Sequence, residues 1–155
     1  MADPAVSPQP LTPLGFLDRS ALVYRTSTAV VSGDRRYSYA ELATRARRLA
    51  AALAQAGVRS GDRVAYLAPN TPALLEAHFG VPMAGAILVA LNTRLTASEV
   101  TYILNDCEAR LLVVDSELAH LVQPSAIPSV RTYVISRQSS APIPPNWIEY
   151  ETFLD

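Results

Sequence analysis

The sequence predicts an α/β protein with a mainly parallel sheet and helices on both faces, and three observations carry that expectation. Residues 62–95 read as strand, turn, helix, strand and polar loop, a crossover that lays its two strands parallel. Short runs with almost no polar residue recur at Val64-Ala65-Tyr66-Leu67-Ala68, Ile87-Leu88-Val89-Ala90-Leu91 and Leu111-Leu112-Val113-Val114. Strands covered on both faces require such runs. Segments of helical spacing alternate with them, which is the pattern of layered α/β domains.

Taken in order, residues 1–11 are Pro-rich and read as an extended or disordered tail, leaving 12–155 as one α/β unit. Thr12-Pro13 opens a helix with Leu14, Leu17, Ala21 and Tyr24 on one face. Residues 28–32 and 36–38 flank Gly33-Asp34-Arg35 as a hairpin. Ser38 and Glu41 have capping-box spacing, so serine hydroxyl and glutamate carboxylate each take the other's backbone amide. The helix they open carries the stripe Leu42, Ala46, Leu49, Leu53 and Ala56 and stops at Gly57. Arg45, Arg47 and Arg48 fall mainly off that stripe and read as a solvated face in preference to a phosphate site.

In the crossover, Asn70 or Thr71 caps a helix with Pro72 at its first position. Residues 73–83 show no wide polar face, so this helix is expected inside the protein, ending or kinking at Pro82. Thr96 and Glu99 repeat the capping box before a helix through Val100, Ile103 and Leu104. A buried strand follows over 110–115, then a brief helix capped by Ser116, a strand over 131–136, a Ser/Pro-rich loop over 137–145, a short strand at 147–149 and a helical start from Tyr150. The pattern stops without a helix C-cap, so further strands are expected outside this sequence. An open sheet edge would then invite self-association or pairing with the remainder of a longer chain.

Composition narrows the chemistry. Thirteen basic against fourteen acidic residues give a net charge of −1, which provides no field for a nucleic acid. All the basic residues are Arg. Without Lys there is no Walker-type, Schiff-base or phosphoryl-neutralising lysine. Six glycines, none in a Gly-rich loop, leave no backbone cradle for phosphate. No run nears the roughly 18 apolar residues of a membrane span, and the first ten residues lack the plan of a secretory signal. Cys107 is the one cysteine, reads as structural, and makes a reducing compartment, by default the cytoplasm, the expectation.

Candidate functional residues are few. His78 is the one imidazole near the crossover, and a packed, hydrogen-bonded histidine is the plainer reading, because no nucleophile or carboxylate is paired with it by spacing. Asn92-Thr93-Arg94 follow a strand's carboxyl end, where open α/β sheets place ligands, although any strand-to-helix loop has such residues. These four are the substrate-binding candidates. His120 reads as an exposed residue of a short helix. No catalytic residue and no metal-ligand spacing is visible.

The order of the segments is specific. Tyr37-Ser38-Tyr39-Ala40-Glu41-Leu42 resembles the first core motif of the adenylate-forming superfamily, with Tyr37 in place of its usual leucine. Gly57-Val58-Arg59-Ser60-Gly61-Asp62-Arg63-Val64 resembles the segment that follows the same helix in that family. Ala84-Gly85-Ala86 through Leu91-Asn92 resembles the second core motif, with Met83 for its lysine and Ala90 for its proline. Residues 96–104 and 108–115 continue in order, and 70–80 with 91–95 look most like short- and medium-chain acyl-CoA synthetases. The resemblance covers nearly everything after residue 11. It implies an N-terminal segment of an enzyme that joins a small carboxylic acid to ATP with Mg²⁺, releasing pyrophosphate, and then passes the acyl group to CoA. The family's phosphate loop and catalytic lysine have no counterpart here. ATP, Mg²⁺ and CoA are thus implied for the parent and none for this segment alone, which is expected to be inactive. A non-enzymatic module binding a partner through the open edge is the alternative.

Overall fold

The computed structural model describes residues 11–137 and 142–155. Of the expected tail only Leu11 is among them, and residues 138–141 of the Ser/Pro-rich loop also lie outside the described residues.

Thr12 caps α1 (Pro13–Val23), its hydroxyl accepting from the Gly15 amide at 3.3 Å. Leu17 is its one buried residue. Tyr24, expected on the same face, is instead the residue past the end and is exposed, because the chain leaves helical geometry there. The hairpin pairs β1 (Thr28–Ser32) with β2 (Arg35–Ser38). Arg35 lies in the strand opposite Ser32 rather than in the turn. The turn is therefore two residues, with Gly33 first at φ 58°, where a side chain would be strained.

The Ser38/Glu41 capping box forms and opens α2 (Tyr39–Gln55); Gly57 follows its end at φ 81°. Then come β3 (Arg63–Leu67), α3 (Pro72–Met83), β4 (Ile87–Ala90), α4 (Ala97–Asp106) behind the Thr96/Glu99 box, and β5 (Leu111–Asp115). Two 3₁₀ turns, Ser116–Leu121 and Pro124–Ala126, lead to β6 (Thr132–Ser136), β7 (Ile148–Glu149) and α5 (Tyr150–Leu154). Asp115, not Ser116, caps the first of these turns, because Ser116 is already inside it; the Asp115 carboxylate accepts from the Glu117 amide at 3.0 Å.

Strands β4-β3-β5-β6-β7 form one sheet, in that order, with every neighbouring pair parallel. Alternation sorts its two faces. Val64, Tyr66, Leu111 and Val113 meet α2, α3 and α5, whereas Ala65, Leu67, Leu112 and Val114 meet α4 and the 3₁₀ turns. That two-sided burial explains why these runs lack polar positions. A smaller cluster around Leu17, Leu42, Ala43 and Ala46 seats α1 and the hairpin on α2.

Helix α3 departs from expectation. Ala73, Ala77, Gly80 and Val81 face inward, but His78 and Pro82 are exposed and Leu74, Leu75 and Phe79 are half-buried. An apolar circumference here reflects a helix covered on one side by α2 and the sheet, with its other side open among the described residues. Pro82 does not break it; Met83 is still helical. The proline costs one amide, on the exposed side of the last turn. Among the described residues strand β4 is an edge without a second neighbour, with Ile87 half exposed.

Candidate functional site

At the carboxyl end of β3 the connections diverge. β3 leads to α3 on one face, while its neighbours β4 and β5 lead to elements on the other. Open α/β sheets leave crevices at such points. A cavity of about 530 Å³ lies there, lined by Pro69, Asn70, Leu74, His78, Asn92 and Thr93 among others. Three of the four candidates from the sequence, His78, Asn92 and Thr93, thus share one cavity. Arg94 is not in its lining; its backbone amide donates to Asn92 Oδ1 at 3.0 Å, which shapes the loop.

His78 is exposed and its Nδ1 sits 2.8 Å from the Leu74 carbonyl. A carbonyl only accepts, so Nδ1 donates the hydrogen bond. The expected packed histidine is therefore hydrogen-bonded but not packed, since it falls on the open side of α3. No carboxylate, thiol or amine lines this cavity with it, and Thr93 brings its one hydroxyl. The arrangement can offer hydrogen bonds to a ligand, and His78 Nδ1 is taken by the Leu74 carbonyl rather than by a hydroxyl.

The strongest electrostatic feature lies elsewhere. Arg45 of α2 donates Nε to Glu76 Oε1 at 2.6 Å and Nη2 to Glu76 Oε2 at 3.3 Å. Its outer nitrogens reach Glu151 Oε2 at 2.9 Å and Oε1 at 2.7 Å. Tyr150 donates to Glu76 Oε2 at 2.8 Å, and the Tyr37 ring lies 5.3 Å from the guanidinium. Three helices, α2, α3 and α5, are joined by this one network. Burial pushes the Glu76 carboxyl above its usual value, against Arg45 and Tyr150, which hold it down. Burial works against the Arg45 charge, but the bonds to Glu151 and Glu76 outweigh it and keep the guanidinium charged.

Arg45 corrects the solvated-face reading: its side chain is only 17% exposed, while Arg47 and Arg48 do lie outward. The signal was available in the spacing. Positions 42, 45, 46, 49, 52 and 53 form one helical stripe, as do 73, 76, 77, 80 and 81, so Arg45 and Glu76 each occupy a core position on successive helices. Opposite charges forced into neighbouring cores must pair.

Cys107, expected to be structural, follows α4, and burial pushes its thiol up, away from thiolate reactivity. Among the described residues no three His, Cys, Asp or Glu side chains are placed to share a metal ion. The chain has no lysine, and Glu76 and Glu151 are both bound to Arg45. These donors do not fit ATP with Mg²⁺.

The sequence matches the AMP-binding enzyme family over residues 17–150. It is 46% identical over 115 residues to the peroxisomal acetate/butyrate–CoA ligase AAE7 of Arabidopsis thaliana, covering 74% of this chain and 20% of that protein. It is 44% identical over 113 residues to the acetate–CoA ligase CCL3 of Humulus lupulus, covering 73% and 20%. The fold superimposes on the anthranilate CoA ligase AuaEII in complex with anthranoyl-AMP with a TM-score of 0.85 at 28% identity, covering 91% of this chain and 27% of that one. The chain belongs to the AMP-binding enzyme family. It spans about one fifth of the length of the curated relatives it matches, and its fold is part of the N-terminal domain of the acyl-CoA ligases. No helix among the described residues is long and apolar enough to cross a membrane.

Proposed function

We propose that this chain is an N-terminal part of an ATP-dependent ligase that joins a small carboxylic acid to CoA. Here it supplies the parallel-sheet scaffold rather than the reacting groups. The observation that carries the reading is the 46% identity to an acetate/butyrate–CoA ligase over 74% of the chain. His78, Asn92 and Thr93, which share the cavity beyond β3 and β4, are the residues of this segment we assign to the substrate side. The reacting lysine and phosphate loop belong to the remainder of the parent, which is the partner for the open faces of α3 and β4. For the compartment we infer the cytoplasm from the lone cysteine; microscopy of the tagged parent separates that from a peroxisomal address like the one in the name of AAE7.

The test is exchange of labelled pyrophosphate into ATP with acetate and butyrate. The 155-residue chain is expected to stay at background. A longer chain that adds the remaining ligase segments should exchange. Exchange by the short chain itself would overturn the assignment of a scaffold role.

The edge of β4, with Ile87 half exposed, supports a second reading: a binding module that associates through that edge. Sedimentation should then show concentration-dependent dimers that Ile87→Lys abolishes. A monomer at all concentrations would remove this reading and leave the first intact.

A further inference from the structure

A second cavity, of about 340 Å³, lies at the N-terminus of α3 beneath the β1–β2 turn, where β6 ends. From the geometry we infer that it is a binding site for an oxyanion, a phosphate or a carboxylate carried on a small molecule. This inference stands apart from the ligase reading, since it concerns neither the acid nor the nucleotide chemistry of a parent.

Helix α3 is a well-formed helix of 12 residues whose start is left open on purpose-built terms. Thr71 occupies the cap position but makes no side-chain cap hydrogen bond. The first intrahelical bond runs from the Leu75 amide to the Thr71 carbonyl at 3.1 Å, so the amides of Ala73 and Leu74 precede it. Pro72 contributes no amide. Such amides, together with the positive end of the helix dipole, favour a negative group. The independent observation is Thr71 itself: it is 8% exposed, it lines the cavity, and its hydroxyl has no hydrogen-bond partner. A buried hydroxyl left unbonded costs free energy unless a ligand oxygen meets it.

Charge on the rim agrees. Arg35 and Arg137 line the cavity with Ser136, and Arg35 forms no ion pair among the described residues. Carboxylates are present as well. Glu149, however, is occupied by the Glu151 and Thr152 amides at 2.9 and 3.2 Å, and Glu151 is bound by Arg45. Asp34 stands at the hairpin tip. The volume exceeds that of a lone phosphate several-fold, leaving room for the body to which the anionic group is attached.

The test follows backbone amide resonances of the 155-residue chain during titration with inorganic phosphate or acetate, against chloride at equal ionic strength. Saturable shifts of Ala73 and Leu74 are expected with at least one of the two. Response to phosphate alone identifies a phosphate ligand and response to acetate alone a carboxylate; either supports the site. Arg35→Ala, which removes an exposed hairpin side chain, and Thr71→Val should each weaken the titration by about tenfold. Shifts no different from those in chloride, or affinities unchanged in both variants, would overturn the inference.

Discussion

Arg45→Met is expected to destabilise the chain by about 3–5 kcal/mol, the usual cost of breaking a buried ion pair from one side. Glu76 is 1% exposed and depends on Arg45 for two of its three hydrogen bonds, so its charge would remain in the core with Tyr150 alone. Urea unfolding at pH 7 measures the loss. In Arg45→Met/Glu76→Leu no charge is left behind, and most of the stability should return, because a buried pair gains little over apolar packing. A single variant that loses less than about 1 kcal/mol, the range of surface pairs, would show that the network is ornamental.

The pH dependence has a sign of its own. A carboxyl raised above its unfolded value of 4.5, as burial raises Glu76, binds its proton more tightly in the folded chain. Its contribution to stability is present below that value and is lost as pH rises through the raised one. Glu151 runs the other way. Its hydrogen bond from Arg45 holds it low, so its contribution is present above 4.5 and disappears on acidification. Removing Arg45 takes away what holds both carboxyls down, so Glu151 returns toward its usual value and the buried Glu76 rises further. Arg45→Met should therefore lose its acid sensitivity at Glu151 and lose stability more steeply than the parent as pH rises from about 5 to 7. Equal slopes in that window would mean that Glu76 does not feel Arg45.

What was legible in the sequence follows from how local each signal is. Both capping boxes span only four residues, and Ser38/Glu41 and Thr96/Glu99 form as read. The strands of 63–67, 111–115 and 132–136 betray themselves because burial of their central residues on both faces leaves charged and hydroxyl residues only at their ends, apart from Tyr66 and Tyr133. The strand of 87–90 is as apolar in sequence but lies at the sheet edge, with Ile87 and Ala90 exposed. Thr71 shows the limit: its type and place mark a cap, yet its hydroxyl caps nothing. Helical spacing puts Arg45 and Glu76 on the buried stripes of their helices, but it does not name their partners: the pairing across 31 residues, and that of Glu76 with Tyr150 across 74, comes from tertiary packing. His78 reads as interior in the sequence yet is exposed for a related reason. Periodicity reports that α3 is apolar all round, not which side the fold covers. Arg94 fell away from Asn92 and Thr93 because its loop turns on the Asn92 side chain.

Gly80→Ala is the substitution whose sign separates packing from propensity. Within a helix this change ordinarily stabilises by up to about 1 kcal/mol. At position 80 the added Cβ would lie 2.8 Å from the Ala46 carbonyl oxygen, 2.9 Å from Leu49 Cβ and 2.7 Å from Leu49 Cδ2. The leucine tip can rotate away, but the carbonyl and Leu49 Cβ move only if α2 moves. Displacing α2 disturbs the contact on which Arg45, Glu76 and the small cluster around Leu42 all depend. Overpacking of this kind costs about 1–3 kcal/mol, so a net loss of roughly 1–2 kcal/mol is expected. Gly15→Ala is the matched control. It lies in α1 and among the described residues its Cβ would meet only Thr12 Oγ1, at 3.8 Å, so helix propensity should win and stability rise by about 0.5–1 kcal/mol. Opposite signs for the two glycines in one unfolding series would establish the close approach of α2 and α3. A stabilised Gly80→Ala would place those helices farther apart than the structure has them.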